Sequence, residues 1–406
     1  MTQKYKFPNG FLWGAATAAH QIEGNNTNSD WWAWENSAKR ANQLIAQGKN
    51  PEDYKSGIAC DSYNRYDEDF SLAQQLGHNS TRLSIEWARI EPKEGVFDEK
   101  ALEHYEKVLQ SAKFHGLKTF VTLHHYTNPV WFANKGAFEK KENVQYFVRY
   151  AEAAAKRLHE YVDFWITINE PGIYSVHAYL LGIFPPNKHS LIKTVKVTLN
   201  LLRAHNLAAP RIKSITQKPV GLANQLSDLV AASPLAKITA GLAQYLANDF
   251  ILKKTMANCD FIGVNYYIHH HIGIFGIREN SRRGHKVNDL GWGIHPEGIE
   301  QVLLRLKSYG KPIYITENGL ADAKDTRREK FIMDHLYHIH KAINQGADVR
   351  GYLHWSLIDN FEWQEGFWPR FGLIEIDRED LLKRRVRYSA IKYAEICRSN
   401  ALEYPH

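Results

Sequence analysis

Cysteine is scarce in this chain of 406 residues, and long apolar runs are absent from it. The three cysteines, Cys60, Cys259 and Cys397, are scattered and odd in number, which excludes a disulfide framework and the paired spacings of a zinc site. No stretch approaches the roughly 18 apolar residues of a membrane span, and the first residues lack the apolar segment of a secretion signal. We therefore expect a cytoplasmic protein with no membrane partner and no metal centre.

The chain also lacks a clustered basic stripe, although its net charge is +7. Such a stripe is the usual footprint of a nucleic-acid-binding protein. The densest basic run, residues 383–387, is short, is interrupted by Val386 and precedes a helix-like segment. We interpret it as the approach to a helix with solvated charges, and we expect no nucleic-acid partner.

Short β-rich runs alternate with longer amphipathic stretches along the whole chain. The candidate strands are residues 11–18, 80–85, 119–123, 164–168, 220–223, 261–265, 313–316 and 351–355. Between them, residues 100–115 and 144–160 carry apolar side chains at helical spacing. Eight strands, each followed by helical material and with no low-complexity linker, predict a single-domain (β/α)8 TIM barrel over residues 1–406. No strand precedes the glycine-rich phosphate loop of a nucleotide-binding fold.

Two glutamates end predicted strands, in Thr-Ile-Asn-Glu-Pro at 167–171 and Ile-Thr-Glu-Asn-Gly at 315–319. Pro171 biases Glu170 toward extended backbone angles, and Asn-Gly after Glu317 predicts a turn. Alone, Glu170 could cap the next helix and Glu317 could be a loop carboxylate. In a barrel, the strand ends meet at one face, so the two carboxylates would point across one pocket. Two such groups, about 5–5.5 Å apart, can cleave a glycosidic bond with retention of configuration.

Other polar and aromatic side chains follow the same strand ends, as expected if one face of a barrel forms the site. They are Gln21, Arg82, His125, Tyr126, Asn169, Asn265, Tyr267 and Trp355. Arg82 and Tyr267 are the plausible partners that keep a nucleophilic carboxylate ionised. The acid of the pair must keep its proton near neutral pH, which burial or the other carboxylate can arrange.

Ordered motifs along the whole chain resemble glycoside hydrolase family 1, the β-glucosidase family. They are Phe-Pro-Asn-Gly-Phe-Leu-Trp-Gly-Ala-Ala-Thr-Ala-Ala-His-Gln-Ile-Glu-Gly at 7–24, Thr-Arg-Leu-Ser-Ile-Glu-Trp at 81–87, Leu-His-His-Tyr at 123–126, the two glutamate motifs, Val-Asn-Tyr-Tyr at 264–267, His-Trp-Ser-Leu-Ile-Asp-Asn-Phe-Glu-Trp at 354–363 and Arg-Phe-Gly-Leu at 370–373. So many motifs in one order are highly specific.

The resemblance implies a role for each residue and requires no cofactor. Glu170 corresponds to the acid/base and Glu317 to the nucleophile, which Arg82 and Tyr267 hold. The implied substrate-binding residues are Gln21, His125, Tyr126, Asn169, Asn265, Trp355, Glu362 and Trp363. Glutamate at 170 favours an O-glycosidase over the family's thioglucosidases, which carry glutamine there. An intact Glu362 favours a neutral sugar over a 6-phosphorylated one.

Two features depart from the family pattern. The family often has tryptophan after the histidine of the third strand, where this chain has Tyr126. The connection between residues 223 and 261 is also shorter than in many relatives, which predicts a more open aglycone site.

Several aromatic residues and histidines allow two interpretations. The tryptophans at 31, 32 and 34 could pack in the core or line the pocket rim, and Trp368 could flank the outer subsite. Three consecutive histidines at 269–271 suggest a metal, but alternate faces of a strand cannot all reach one ion.

The leading hypothesis is a retaining, exo-acting β-glucosidase that acts on small β-glucosides or oligosaccharides and also accepts galactosides or fucosides. A transglycosidase that uses the same intermediate and a catalytically silent sugar-binding barrel are the alternatives. Both carboxylates are present, which disfavours the silent protein. The sequence does not decide the oligomeric state.

Overall fold

A closed parallel barrel organises this protein. The computed structural model describes residues 2–274, 276–278 and 286–405. Within them, eight parallel strands form the barrel in the order β2, β3, β4, β5, β6, β8, β11, β12 and back to β2. The strands are β1 (Thr2–Lys6), β2 (Leu12–Ala16), β3 (Ser80–Ser84), β4 (Lys118–His124), β5 (Phe164–Asn169), β6 (Val220–Gln225), β7 (Asp228–Ala231), β8 (Phe261–Asn265), β9 (His269–Gly273), β10 (Gly276–Arg278), β11 (Ile313–Asn318), β12 (Val349–Trp355), β13 (Ile374–Asp377), β14 (Lys383–Val386) and β15 (Ala401–Pro405).

All eight strands predicted from the sequence are barrel strands, and the predicted (β/α)8 fold is confirmed. The sixth barrel strand, β8, has the predicted bounds. The seventh, β11, continues two residues beyond its predicted end, to Asn318. It is longer because its pairing with β12 continues as far as Asn318 and His354.

Helices follow the barrel strands and cover the outside of the barrel. They are α1 (Ala19–Ile22), α2 (Asp30–Glu35), α3 (Ala38–Ala46), α4 (Ser62–Gln75), α5 (Trp87–Ile90), α6 (Glu99–Phe114), α7 (Val130–Asn134), α8 (Val144–Leu158), α9 (Pro171–Tyr179), α10 (Leu191–Ile215), α11 (Lys237–Gln244), α12 (Phe250–Thr255), α13 (Pro296–Leu306), α14 (Arg328–Asn344) and α15 (Tyr388–Ser399). None of the described helices is both long and apolar enough to cross a bilayer.

Helix α6 illustrates why these segments are helical. The carboxylate of Asp98 accepts hydrogen bonds from the backbone N–H groups of Lys100 and Ala101, which begins the helix. Its buried side chains recur three or four residues apart, so one apolar stripe faces the barrel. They are Ala101, Leu102, Tyr105, Val108, Leu109 and Ala112. Helices α6 and α8 confirm the two amphipathic segments predicted at 100–115 and 144–160.

Aromatic rings fill the barrel interior below the strand ends. Phe120 stacks on Phe164 with ring centroids 4.2 Å apart, and Tyr314 lies 5.2 Å from each of them. Phe261 meets Tyr314 edge to face at 5.5 Å. A filled interior is expected for an eight-stranded barrel, and it leaves the carboxyl ends of the strands as the face where side chains can form a site.

The basic run at 383–387 differs from its predicted role. Helix α15 does begin just after it, but Arg384 and Arg387 are buried rather than solvated. Arg384 Nε donates to Asp69 Oδ1 at 2.9 Å, and Arg387 Nη1 donates to Asp359 Oδ1 at 2.8 Å. Arg384 is the one buried residue of strand β14 and Arg387 directly follows the strand, and tertiary partners from distant segments neutralise both. A local charge count does not reveal such partners.

The first prediction concerns this buried ion pair. Replacing Arg384 by methionine leaves Asp69 buried without its guanidinium, and we expect a loss of about 3–5 kcal/mol in the free energy of unfolding. Arg385→Met is the matched control, since half-exposed Arg385 pairs with Asp377 and Asp380 at the surface. Arg385→Met should change the free energy of unfolding by no more than about 0.5 kcal/mol. Equal denaturation midpoints for the two variants would contradict the assignment.

Candidate active site

Glu170 stands at the end of the fourth barrel strand in an unusual backbone conformation. Its φ of 44° and ψ of 61° are left-handed, so the expectation that Pro171 keeps it extended is wrong. Its backbone N–H donates to the carbonyl of Ala223 at 2.8 Å, and its carbonyl accepts from the N–H of Tyr174. These bonds hold a conformation that costs about 1–3 kcal/mol. The side chain makes no helix-capping hydrogen bond and is free to point into the barrel mouth.

Glu317 lies inside the seventh barrel strand rather than before a turn. The Asn-Gly pair does not form the predicted turn; both residues pack closely against neighbouring barrel strands. Asn318 donates through Nδ2 to the carbonyl of Tyr266 at 2.7 Å. A Cβ on Gly319 would lie 1.8 Å from the carbonyl oxygen of Trp355, so a glycine lets the seventh and eighth barrel strands approach each other.

A buried guanidinium holds Glu317. Arg82, which is 0% exposed, donates through Nη1 to Glu317 Oε1 at 2.5 Å. The same guanidinium donates through Nη2 to Asn169 Oδ1 at 2.7 Å and through Nε to Thr122 Oγ1 at 3.1 Å. The hydroxyl of Tyr267 donates to Glu317 Oε2 at 2.7 Å. Both oxygens of this carboxylate therefore accept a hydrogen bond, which favours its ionised form.

Within the described part of the chain, the donors to the Glu170 carboxyl are neutral. Asn265 Nδ2 donates to Glu170 Oε1 at 2.6 Å, and the Tyr126 hydroxyl donates to Glu170 Oε2. The Asn265 side chain also interacts with Glu317, so it lies between the two carboxyls. Thr316 fixes the orientation of Asn265 by donating to its Oδ1 at 2.6 Å.

These surroundings affect the pKa values of the two carboxyls differently. Burial, reinforced by the negative charge of Glu317, raises the pKa of Glu170 to about 7. Burial also raises the pKa of Glu317, but Arg82 and Tyr267 oppose that effect. The buried guanidinium of Arg82 hydrogen-bonds to Glu317 and not to Glu170, so the proton is favoured on Glu170. One group can then donate a proton while the other remains an anion.

A polar and aromatic surface faces the carboxyl pair. Gln21 Nε2 contacts Glu362 Oε2 at 3.4 Å, and the Trp355 side chain hydrogen-bonds to Glu362. Burial raises the pKa of Glu362 to about 8, and the neighbouring carboxyls add to the effect. The His125 ring lies nearly parallel to those of Trp355 and Trp363, at 6.0 Å from each.

Two buried polar atoms of this surface point to a ligand with hydroxyl groups. His125 Nε2 lies 3.1 Å from Asn169 Nδ2, and burial holds the pKa of His125 well below its usual range. The neutral ring therefore carries its hydrogen on Nδ1. That atom and Gln21 Oε1 have no hydrogen-bond partner among the described residues. A donor and an acceptor of this kind suit sugar hydroxyls.

The carboxyls open onto a cavity of about 350 Å³, within the range of small-molecule sites. Nine of the twelve predicted site residues line it, namely His125, Tyr126, Asn169, Glu170, Tyr267, Glu317, Trp355, Glu362 and Trp363. Arg82, Asn265 and Gln21 instead contact those residues from behind.

Comparisons with known proteins agree with this geometry. The family model described as Glycosyl hydrolase family 1 matches residues 3–257 and 245–402. The chain belongs to this family. β-Glucosidase A of Acetivibrio thermocellus is 31% identical over 98% of this chain and 99% of that protein. A β-galactosidase of Sulfolobus acidocaldarius is 28% identical over 98% and 96%. The β-glycosidase structure from Pyrococcus horikoshii is 36% identical with a TM-score of 0.89, over 99% of this chain and 97% of that one.

Sequence reasoning missed most of the outer wall of this glycoside hydrolase. The further lining residues are Ile173, His177, Phe184, Gln225, Ile268, Leu290, Trp292, Gln364, Glu365 and Phe371. Ile173 and His177 could have been found, since they follow Glu170 on helix α9 at helical spacing. Leu290 and Trp292 carry no comparable signal because they lie far along the sequence from the motifs on either side, which end at Tyr267 and begin again at Ile315.

The remaining aromatic candidates divide between core and surface. Trp31 is fully buried and supports Trp363 from behind, with ring centroids 4.7 Å apart. Trp32 and half-exposed Trp368 line a neighbouring cleft of about 570 Å³ rather than the cavity.

The second prediction tests the close approach at Gly319. We expect Gly319→Ala to displace Trp355, to lower kcat/KM for a β-glycoside about 100-fold and to lower Tm. Gly241→Ala is the matched control, because nothing lies within 4 Å of the added Cβ on helix α11. That variant should keep wild-type activity. Wild-type kinetics in Gly319→Ala would show that the glycine is dispensable.

Proposed function

We propose that this family 1 glycosidase is a retaining, exo-acting β-glucosidase. In the proposed double displacement, Glu317 attacks the anomeric carbon while Glu170 protonates the leaving oxygen. Glu170 then removes a proton from the water that releases the sugar from Glu317. The observation that carries the proposal is the unequal setting of the two carboxyls, one bonded to Arg82 and the other protonated near neutral pH.

The sugar-binding side supports a neutral terminal glycone. Trp355 offers an apolar ring face, and Gln21, His125 and Glu362 offer donors and acceptors for hydroxyl groups. A phosphorylated sugar would meet the carboxyl of Glu362. Glucose is the proposed principal glycone, with galactosides and fucosides as further substrates, and the relatives named β-glucosidase and β-galactosidase fit that range.

The leaving-group side supports tolerance of varied aglycones. The connection between residues 223 and 261 is fully described and contributes Gln225 alone to the cavity lining. Apolar side chains from other segments, including Ile173 of helix α9, Ile268 and Trp292, form the rest of this wall. Apolar contacts restrict shape less than directed hydrogen bonds do. A single domain over residues 1–406 and a cytoplasmic location remain predictions.

The third prediction concerns stereochemistry. Proton NMR of a fresh digest of a nitrophenyl β-glucoside should show β-glucose first and the α-anomer only later, by mutarotation, because two displacements restore the configuration. Parallel rates on the β-galactoside, β-fucoside and β-mannoside would rank the glycones, with glucoside or fucoside expected to lead. Initial release of α-glucose would instead mean an inverting mechanism.

The fourth prediction separates an enzyme from a sugar-binding protein. Glu317→Gln should lower kcat at least about 10⁴-fold, the scale of loss when a covalent nucleophile is removed, while glucose binding persists. Glu300→Gln is the control, since this buried carboxylate on helix α13 bonds to His338 on the barrel's outer layer. It should retain activity within a few-fold. Absence of turnover by the wild-type protein on every β-glycoside would favour the binding function.

A further inference from the structure

The hydroxyl of Tyr126 contacts the carboxyl of Glu170. It donates a hydrogen bond to Glu170 Oε2, while Asn265 Nδ2 donates to Oε1 at 2.6 Å. The two donors approach from the third and sixth barrel strands, on opposite sides of the carboxyl. Tyr126 was expected to contact the sugar, and the structure gives its hydroxyl a different partner.

The fold holds the Tyr126 ring firmly in place. The residue is 4% exposed and has a φ of 73°, which is unusual for a bulky side chain. Its ring packs against Trp363 at 5.1 Å, Phe184 at 5.4 Å and Tyr174 at 6.3 Å. A left-handed backbone and three aromatic neighbours leave the hydroxyl little freedom to turn from Glu170.

We propose that Tyr126 is a positioning residue that stabilises the ionised form of Glu170 and thereby makes it a stronger acid toward the leaving group. The proposal rests on the function proposed above for Glu170. A neutral donor to a carboxylate favours the charged form. Burial keeps the pKa of Tyr126 well above its usual value, so its hydroxyl remains a donor throughout the assay range.

The proton balance fits both chemical steps. In the first step the proton moves from Glu170 to the glycosidic oxygen, and the bond from Tyr126 strengthens as the carboxylate forms. In the second step the carboxylate takes a proton from water, and the same bond weakens. Tyr126 itself neither gains nor loses a proton.

Other ionisable groups facing Glu170 stay in place when the hydroxyl is removed. They are Arg82 behind the cavity, Glu317 and Tyr267 at its base, Glu362 and Glu365 after the eighth barrel strand, and His125 and His177 on the cavity wall. A shift in the titration of Glu170 can therefore be assigned to the missing donor.

The test is the pH dependence of kcat/KM for Tyr126→Phe. The free enzyme must hold the proton on Glu170, so wild-type activity should fall as the pH rises through about 7. Without the donor, the carboxylate is less stable and the pKa of Glu170 rises. We expect the basic limb to move upward by about one pH unit, since a hydrogen bond to a charged group is worth about that shift.

A second readout uses the leaving group. At a pH where Glu170 is protonated in both the wild-type protein and Tyr126→Phe, Glu170 is the weaker acid in the variant. We expect this to lower kcat/KM of the variant on cellobiose about 3-fold. The dinitrophenyl β-glucoside needs no protonation and should be unaffected. Tyr150→Phe is the control, because this buried hydroxyl donates to the carbonyls of Ile85 and Leu123 and contacts neither carboxyl. Tyr150→Phe should leave unchanged both the basic limb of the pH profile and the ratio of the kcat/KM values for the two substrates.

The outcomes separate this inference from the proposed function. Suppose that the wild-type pH profile is as expected but the basic limb of Tyr126→Phe does not move, or that this variant loses kcat/KM equally on cellobiose and on the dinitrophenyl β-glucoside. Either result would overturn the role of Tyr126 alone and indicate a sugar contact. Full activity in Glu170→Gln on cellobiose would overturn the assignment of Glu170, and the inference would fail with it. A shifted limb together with a loss confined to cellobiose supports both.

Discussion

The hydrogen-bonded ion pair between Arg82 and Glu317 is the interaction on which the rest of the site depends. Both groups are removed from water, and desolvation of two charges is tolerated only when every remaining donor and lone pair finds a partner. Arg82 meets that condition with bonds to Thr122, Asn169 and the Thr316 carbonyl besides Glu317. The pair keeps one carboxylate anionic, and that charge helps to keep the proton on Glu170. Two chemically identical side chains thus take unequal protonation states, as the proposed acid and the proposed nucleophile require.

The closed barrel brings these groups together. Arg82, Asn265 and Glu317 lie on three different strands and Glu170 directly follows a fourth, and they are separated by up to 235 residues along the chain. Parallel strands in a barrel all end at one face, so their terminal side chains converge without any local sequence relationship. The aromatic layer of Phe120, Phe164, Phe261 and Tyr314 fills the interior below and forms the floor on which the charged layer rests.

Left-handed backbone recurs around the cavity at residues other than glycine. Glu170, Tyr126 and Trp363 have φ values of 44°, 73° and 51°. Each conformation opposes local preference and persists because tertiary contacts hold it, as expected where a site needs a side chain aimed in one direction. The bias from Pro171 was a sound local rule, but the bond from the Glu170 N–H to Ala223 outweighs it.

The sequence alone determined the strand and helix pattern and the barrel, and it singled out the two glutamates as candidates, because hydrophobic periodicity and strand-end motifs are local properties. Only the tertiary structure decided which donors meet Glu170. It placed the hydroxyl of Tyr126 and the amide of Asn265 on that carboxyl, and it buried Arg384 and Arg387 against distant aspartates. It also brought Leu290 and Trp292 to the cavity. Hydrogen bonds and charge pairing depend on distances between residues far apart in the chain, and those distances exist only once the barrel has closed.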